Sequence, residues 1–188
     1  MKKLFGVITA MTTPFDAQGA VDLNALEAQT QFLIEKGVTI AAAESCTGGE
    51  LQGRITDIPG ASASLKGGVV VYTNEAKHLL LGIPTETLDK YGAVSREIAA
   101  ELAERVRLKL GADLGVGVTG LAGPDGDGVH PVGTVFVSLS DGKRTWVREK
   151  HITDRDRKTV RLYACQNVFD MVRRYLAGLP VEQKRSDI

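Results

Sequence analysis

The chain has 188 residues, with 23 Lys+Arg against 23 Asp+Glu, 43% hydrophobic and 24% charged residues. That is the make-up of one globular domain, or one domain with an appendage. Zero net charge gives no electrostatic case for a nucleic-acid or membrane-surface partner, and two cysteines, Cys46 and Cys165, build neither a disulfide framework nor a zinc cluster and fit a reducing cytoplasm. The N-terminus starts Met-Lys-Lys and runs apolar, but Thr12, Thr13 and Pro14 break the run and no signal-cleavage pattern follows. No stretch reaches the ~18 apolar residues of a membrane span, so a cytoplasmic location is expected.

In chain order, residues 4–10 (LFGVITA) read as a short buried strand, followed by a turn-rich connector. Asp22 is placed to cap a helix carrying Leu23, Leu26, Phe32 and Leu33, with Gly37 as its stop signal. The apolar run 38–43 has strand length and ends at Glu44-Ser45-Cys46-Thr47-Gly48-Gly49. A short helix to about Thr56 and a small-residue loop come next. Residues 67–72 (GGVVVY) predict a strand, and Asn74 a cap for the helix NEAKHLLL. From Ser95, Ile98, Leu102, Val106 and Leu110 recur every four residues, predicting an amphipathic helix. Residues 114–119 predict a strand leading into a glycine-rich loop. Residues 134–140 and 145–152 predict a hairpin turning at Asp141-Gly142, and residues 156–177 a last long helix. Alternating strands and helices plus one hairpin give an α/β fold. In an open α/β sheet ligands bind beyond the strand carboxyl ends, which singles out the junctions at 44–49, 72–77 and 119–126.

Ser45 follows a buried strand and precedes the first N–H groups of a helix, a place where a developing oxyanion or a phosphate is stabilised. Serine needs a base, and none of His78, His130 and His151 lies in a triad motif. Lys77, one turn into NEAK, is a candidate base if burial lowers its pKa, although a lysine there also suits a solvated surface. Cys46 offers a second nucleophile or simply a small half-buried thiol. Glu44 has no His/Asp/Glu cluster around it to complete a metal site. The loop 119–128 suits either phosphate cradling or an exposed turn.

The blocks AESCTGGELQGRITDIPGASAS, GGVVVYTNEAK, LLGIPTETLDKYGAVS, VTGLAGPDGD and PVGTVFVSLS, in this order and spacing, resemble the CinA C-terminal domain family, which includes nicotinamide-nucleotide amidases. The resemblance spans about 22 to 178. It implies a three-layer α/β/α sandwich with a mixed, mainly parallel sheet, and a serine amidohydrolase that uses no metal and no cofactor. Carried over, it implies Ser45 as nucleophile, Lys77 as base, Tyr72 orienting the pair and Ser62 assisting near the nucleophile or oxyanion. On the substrate side it implies Thr47, Gly48 and Gly49, with Thr119 and Gly120 at the end of the third strand. Arg157 aligns with the family's substrate-side arginine, Arg155 offering a second register. The implied reaction is deamidation of nicotinamide mononucleotide, a small-molecule nucleotide substrate, by a homo-oligomer. The alternative is a catalytically inactive, competence-linked binding or scaffold module.

Residues 1–38 depart from that pattern. They resemble the first strand and helix of dihydrodipicolinate synthase/N-acetylneuraminate lyase barrels, without the length or the lysine block that aldolase chemistry requires. The expected organisation is therefore an N-terminal extension (1–21), an amidohydrolase-like domain (22–178) whose first helix (22–37) is borrowed, and a polar tail (179–188).

Overall fold

Side-chain alternation along one strand divides the molecule into its layers. In the computed structural model, which describes residues 23–182, strand β1 (Ile40–Glu44) is buried along its whole length. It lies parallel to β2 (Leu65–Val70) on one side and to β3 (Leu114–Gly120) on the other. Strands β4 (Thr134–Ser140) and β5 (Thr145–His151) follow in antiparallel fashion, giving the order β2-β1-β3-β4-β5. Successive side chains of a strand point to opposite faces. Ile40 and Ala42 enter a core shared with helices α1 (Leu23–Lys36), α2 (Glu50–Thr56) and the C-terminal α6 (Arg157–Leu176). Ala41 and Ala43 enter a second core with α3 (Asn74–Leu81), α4 (Thr85–Tyr91) and α5 (Arg96–Leu110). The three-layer sandwich is as expected. The sheet is mixed, as expected: β2, β1 and β3 are parallel, and β4 and β5 join as the expected hairpin.

Helix α5 lies unusually close to the sheet, and glycine is the reason. A Cβ at Gly115 would sit 2.0 Å from the Ala103 carbonyl oxygen, and one at Gly117 would sit 2.6 Å from that of Ala99. Ser138 fills the remaining gap by donating its hydroxyl to Ala99 O at 2.5 Å. Of the expected stripe of α5, Ile98, Leu102 and Val106 are completely buried and Leu110, at its end, is partly buried.

Most element boundaries fall where the residues predict, and the exceptions have local causes. Helix α3 is capped by Thr73, whose hydroxyl accepts from Ala76 N at 3.1 Å, rather than by Asn74. Strand β2 starts and ends two residues early, which leaves Tyr72 beyond the sheet. Helix α4 was not anticipated; it is seven residues long and opens after Pro84. The β4–β5 connection holds residues 141–144, as the expected strand bounds leave it, and the Asp141 carboxylate closes it by accepting from the N–H groups of Lys143 and Arg144. The predicted strand 4–10, the Asp22 cap and residues 183–188 of the tail lie outside the described residues. Among the described residues no helix is long and apolar enough to cross a membrane.

The Gly115 contact gives a stability test. Gly115→Ala should lower the free energy of unfolding by about 1–3 kcal/mol, the usual cost of overpacking a core, read as a shift of the urea midpoint at unchanged slope.

Candidate active site

The loop after β1 is built around a buried carboxylate. Glu44 shares the strand face of Ile40 and Ala42, so it points toward α2, and it is completely buried. Four donors meet it there: the N–H groups of Gly49 and Leu51 at 3.0 Å on one oxygen, and Gln52 N at 3.0 Å and Gln52 Nε2 at 3.1 Å on the other. A carboxylate at a helix N-terminus satisfies donors that have no partner within the helix. Gly48 and Gly49 allow the turn to close on Glu44, with φ of +61° and +94°.

One residue further on, the alternation turns to the opposite face. Ser45 continues the ladder through its N–H to Val118 O at 3.0 Å and lines a cleft of about 270 Å³ with Cys46, Tyr72, Lys77, Thr119 and Arg157. Lys77 reaches this cleft from α3 and is 1% exposed, one of the largest fully buried side chains. Its ammonium has no ion-pair or hydrogen-bond partner among the described residues. Burial therefore holds its pKa below the ordinary lysine value. A Cys46 thiolate would oppose this shift, but burial pushes the Cys46 thiol up to about 12 against the pull of Arg161 and Arg157. Cys46 is thus a protonated, poorly nucleophilic thiol at neutral pH. Among the described residues no histidine lines the cleft and no group of three His, Cys, Asp or Glu is arranged for a metal.

At the mouth, Arg157 donates to the Tyr72 hydroxyl at 2.8 Å and to Gly123 O at 2.6 Å. Asp156 does not pair with it; that carboxylate caps α6 by accepting from Thr159 N. Arg157 lines the cleft and Arg155 does not. Tyr72 sits at this rim, more than half exposed.

The other residues singled out from the sequence divide. Thr119 and Gly120 line the cleft, and Thr119 also donates its hydroxyl to Ala93 O at 2.6 Å, drawing the segment before α5 against β3. Thr47, Gly48 and Gly49 do not line it. Thr47 is buried, Gly48 N donates to Ser45 O, and Gly49 N is taken by Glu44. These glycines shape the turn, and their N–H groups are committed. Among the described residues the N–H groups of Cys46 and Thr47 donate to no oxygen. Ser62 is exposed in the short 3₁₀ turn Ala61–Ala63 that precedes β2. Ser45 follows β1, and the two strands are parallel. The two serines therefore lie beyond opposite ends of the strand pair, separated by roughly 16 Å of strand, and the position beside the nucleophile that the resemblance implies is not met within this chain. Ala93, Val94, Leu121, Ala122, Gly123 and Asp125 complete the lining. Only the glycine-rich loop gave a sequence signal for any of them. Ala93 and Val94 come from a segment whose approach depends on the long-range Thr119 bond.

With this geometry in place, comparison with known proteins is informative. The profile of the CinA C-terminal domain matches residues 23–176, helix α1 included. A competence-damage inducible protein of Acetivibrio thermocellus is 49% identical over 150 residues, 79% of this chain and 36% of that protein. A CinA-like protein of Desulfovibrio desulfuricans is 45% identical over 176 residues, 92% of this chain and 41% of that protein. The chain thus spans well under half the length of these curated relatives. Among solved structures, a CinA superfamily protein of Klebsiella pneumoniae superposes with a TM-score of 0.79 at 28% identity, covering 83% of this chain and 98% of that one. The competence/damage inducible protein CihA of Agrobacterium tumefaciens gives 0.75 at 35% identity, covering 81% and 95%.

Two substitutions separate the paired carboxylate from the unpaired lysine. Glu44→Gln leaves an amide NH₂ facing backbone donors and should destabilise the protein by about 2–3 kcal/mol. Lys77→Met should do the reverse. The folded protein holds Lys77 with a lowered pKa, so the unfolded chain binds its proton more tightly. The native lysine therefore costs stability at pH values below about 10.4. Lys77→Met is expected to have a higher Tm than the native protein at pH 7. The advantage should shrink as pH climbs from the folded pKa of Lys77 toward the ordinary lysine value, as followed by thermal unfolding across pH.

Proposed function

The chain belongs to the CinA C-terminal domain family, and on that premise we propose that it is an amidohydrolase that deamidates nicotinamide mononucleotide. The observation that carries the reading is the pairing, in one cleft, of Ser45 with a completely buried lysine that has no partner. A binding module would have no use for such a lysine, since an unpaired buried ammonium is costly. A lysine held toward its neutral form is what a serine without histidine requires.

The lining suggests how the substrate lies. The apolar wall of Ala93, Val94, Leu121 and Ala122 faces the pyridine ring, and Arg157 at the mouth meets the phosphate in charge-assisted hydrogen bonds. Ser45 Oγ attacks the carboxamide carbon while its proton passes to Lys77 Nζ. The tetrahedral oxyanion takes hydrogen bonds from the N–H groups of Cys46 and Thr47, in place of Gly48 and Gly49, whose donors are committed. Lys77 then returns the proton to the leaving nitrogen, and ammonia departs from the acyl-enzyme. Water, deprotonated by Lys77, cleaves the ester to nicotinic acid mononucleotide and restores the serine. Tyr72, bonded to Arg157, steadies the arginine. No step calls for a metal or an organic cofactor, and Ser62 has no role within the subunit.

Purified protein should release ammonia from nicotinamide mononucleotide, and Ser45→Ala should lower kcat on the order of 10³-fold or more. Arg157→Met should act chiefly on KM, raising it about tenfold for loss of one charge-assisted contact. Because Lys77 must be neutral to accept the proton, kcat/KM should climb with pH to a plateau, with an apparent pKa below the ordinary lysine value. Ammonia release by Ser45→Ala at the native rate, or none by the native protein, would contradict the proposal.

A further inference from the structure

We propose that Arg161 is a positioning residue for the nucleophile, holding the main chain of the Ser45 turn to α6 and thereby to Arg157. Its Nη2 donates to Thr47 O at 2.7 Å and lies 3.5 Å from the Glu50 carboxylate at the start of α2. It is also the nearest group to Gly48, where an added Cβ would stand 3.6 Å from the same nitrogen. The Thr47 side chain gives the turn no second anchor, because its buried hydroxyl has no hydrogen-bond partner. The turn is thus strung between two charged groups of opposite sign. Glu44 takes the N–H of Gly49, and Arg161 takes the carbonyl two residues earlier. Ser45 and the N–H groups of Cys46 and Thr47 precede that second anchor directly.

Arg157 and Arg161 lie four residues apart on α6, so they share one face of the helix. Arg157 reaches across to Tyr72 and the 123 carbonyl; Arg161 reaches back to the nucleophile turn. The first turns of α6 therefore join the substrate side of the cleft to its nucleophile side. Arg161 does not line the cleft, so its removal should act on the placement of Ser45 and the oxyanion donors and not on substrate affinity. Displacement of a reacting group by ~1 Å costs on the order of 10²-fold in rate. A cation of another shape replaces the guanidinium only in part, since lysine has no planar fork to span a carbonyl and a carboxylate together.

The kinetic readout rests on the amidase reading, so it is paired with one that does not. Native protein, Arg161→Met and Arg161→Lys are compared for kcat and KM on nicotinamide mononucleotide, with and without added guanidinium chloride at millimolar concentration, and for backbone amide exchange over residues 46–49. Arg161→Met should lose roughly 10- to 100-fold in kcat with KM within about twofold of native, an unchanged pH profile, and partial rescue by guanidinium. Its amides at 46–49 should exchange faster, and Arg161→Lys should fall between the two. If Arg161→Met does not fold, the same comparison is read from Arg161→Lys alone. Unchanged exchange at 46–49 overturns the positioning role, as does a loss confined to KM, or a native kcat despite faster exchange. Faster exchange with no ammonia release by the native protein supports the positioning role while refuting the amidase.

Discussion

A buried carboxylate fixes the architecture of the site. Glu44 at the end of β1 would be untenable without partners, because removing a charge from water costs several kcal/mol. Three backbone donors and an amide of α2 meet it. Satisfying the carboxylate forces the chain to double back at Gly48-Gly49, starts α2 at a set point and aligns the nucleophile turn with the strand end. It also takes the Gly49 N–H, while the Gly48 N–H closes on Ser45 O, so the proposed mechanism gives the oxyanion to the N–H groups nearest Ser45. Because strand side chains alternate, a carboxylate anchored on one face places the next residue on the other.

The sheet consequently separates two kinds of work. On the face of α1, α2 and α6 two charged groups are tied down: Glu44 to α2, and Arg161 to Thr47 O and Glu50. On the face of α3 and α5 lies Lys77, buried without a partner among the described residues. An unpaired lysine there is expected to cost stability relative to an apolar side chain, and in the proposed mechanism the same burial makes it a base at lower pH than a solvated lysine. Stability given up at a reactive site is a familiar trade in enzymes. Cys46 shows the converse: burial raises its thiol pKa and keeps it protonated in the same cleft.

What was legible in the sequence depended on how local the determining forces are. The stripe Ile98, Leu102 and Val106, the Ser45 turn and the β4–β5 hairpin follow from periodicity and turn chemistry, and they stand where the residues put them. The class of sandwich follows from alternation of elements, but the balance of parallel and antiparallel pairing was set by where the hairpin joins β3, a long-range matter. Helix α4 was missed because seven residues carry too little pattern. Within the site, Ser45, Lys77, Tyr72, Thr119, Gly120 and Arg157 reach one cleft. The sequence offers Gly48 and Gly49 as ligand donors, and nothing local in it says that Ser45 O takes the first N–H and Glu44 the second. Ser62 was drawn to the site by motif order, and the parallel pairing of β1 with β2 carries it to the other end of the sheet. Arg161 could have been noticed from its four-residue spacing to Arg157, yet its partner lies 114 residues away.

A Lys77 whose pKa burial holds below the ordinary lysine value is the claim on which the proposed chemistry turns. It is tested most directly by NMR titration of the lysine side chains in the folded protein, with Lys77→Met identifying the signal. One lysine resonance, missing from Lys77→Met, should titrate below the ordinary value of about 10.4. If that resonance titrates with the surface lysines, Lys77 is charged at neutral pH and cannot serve as the base for Ser45.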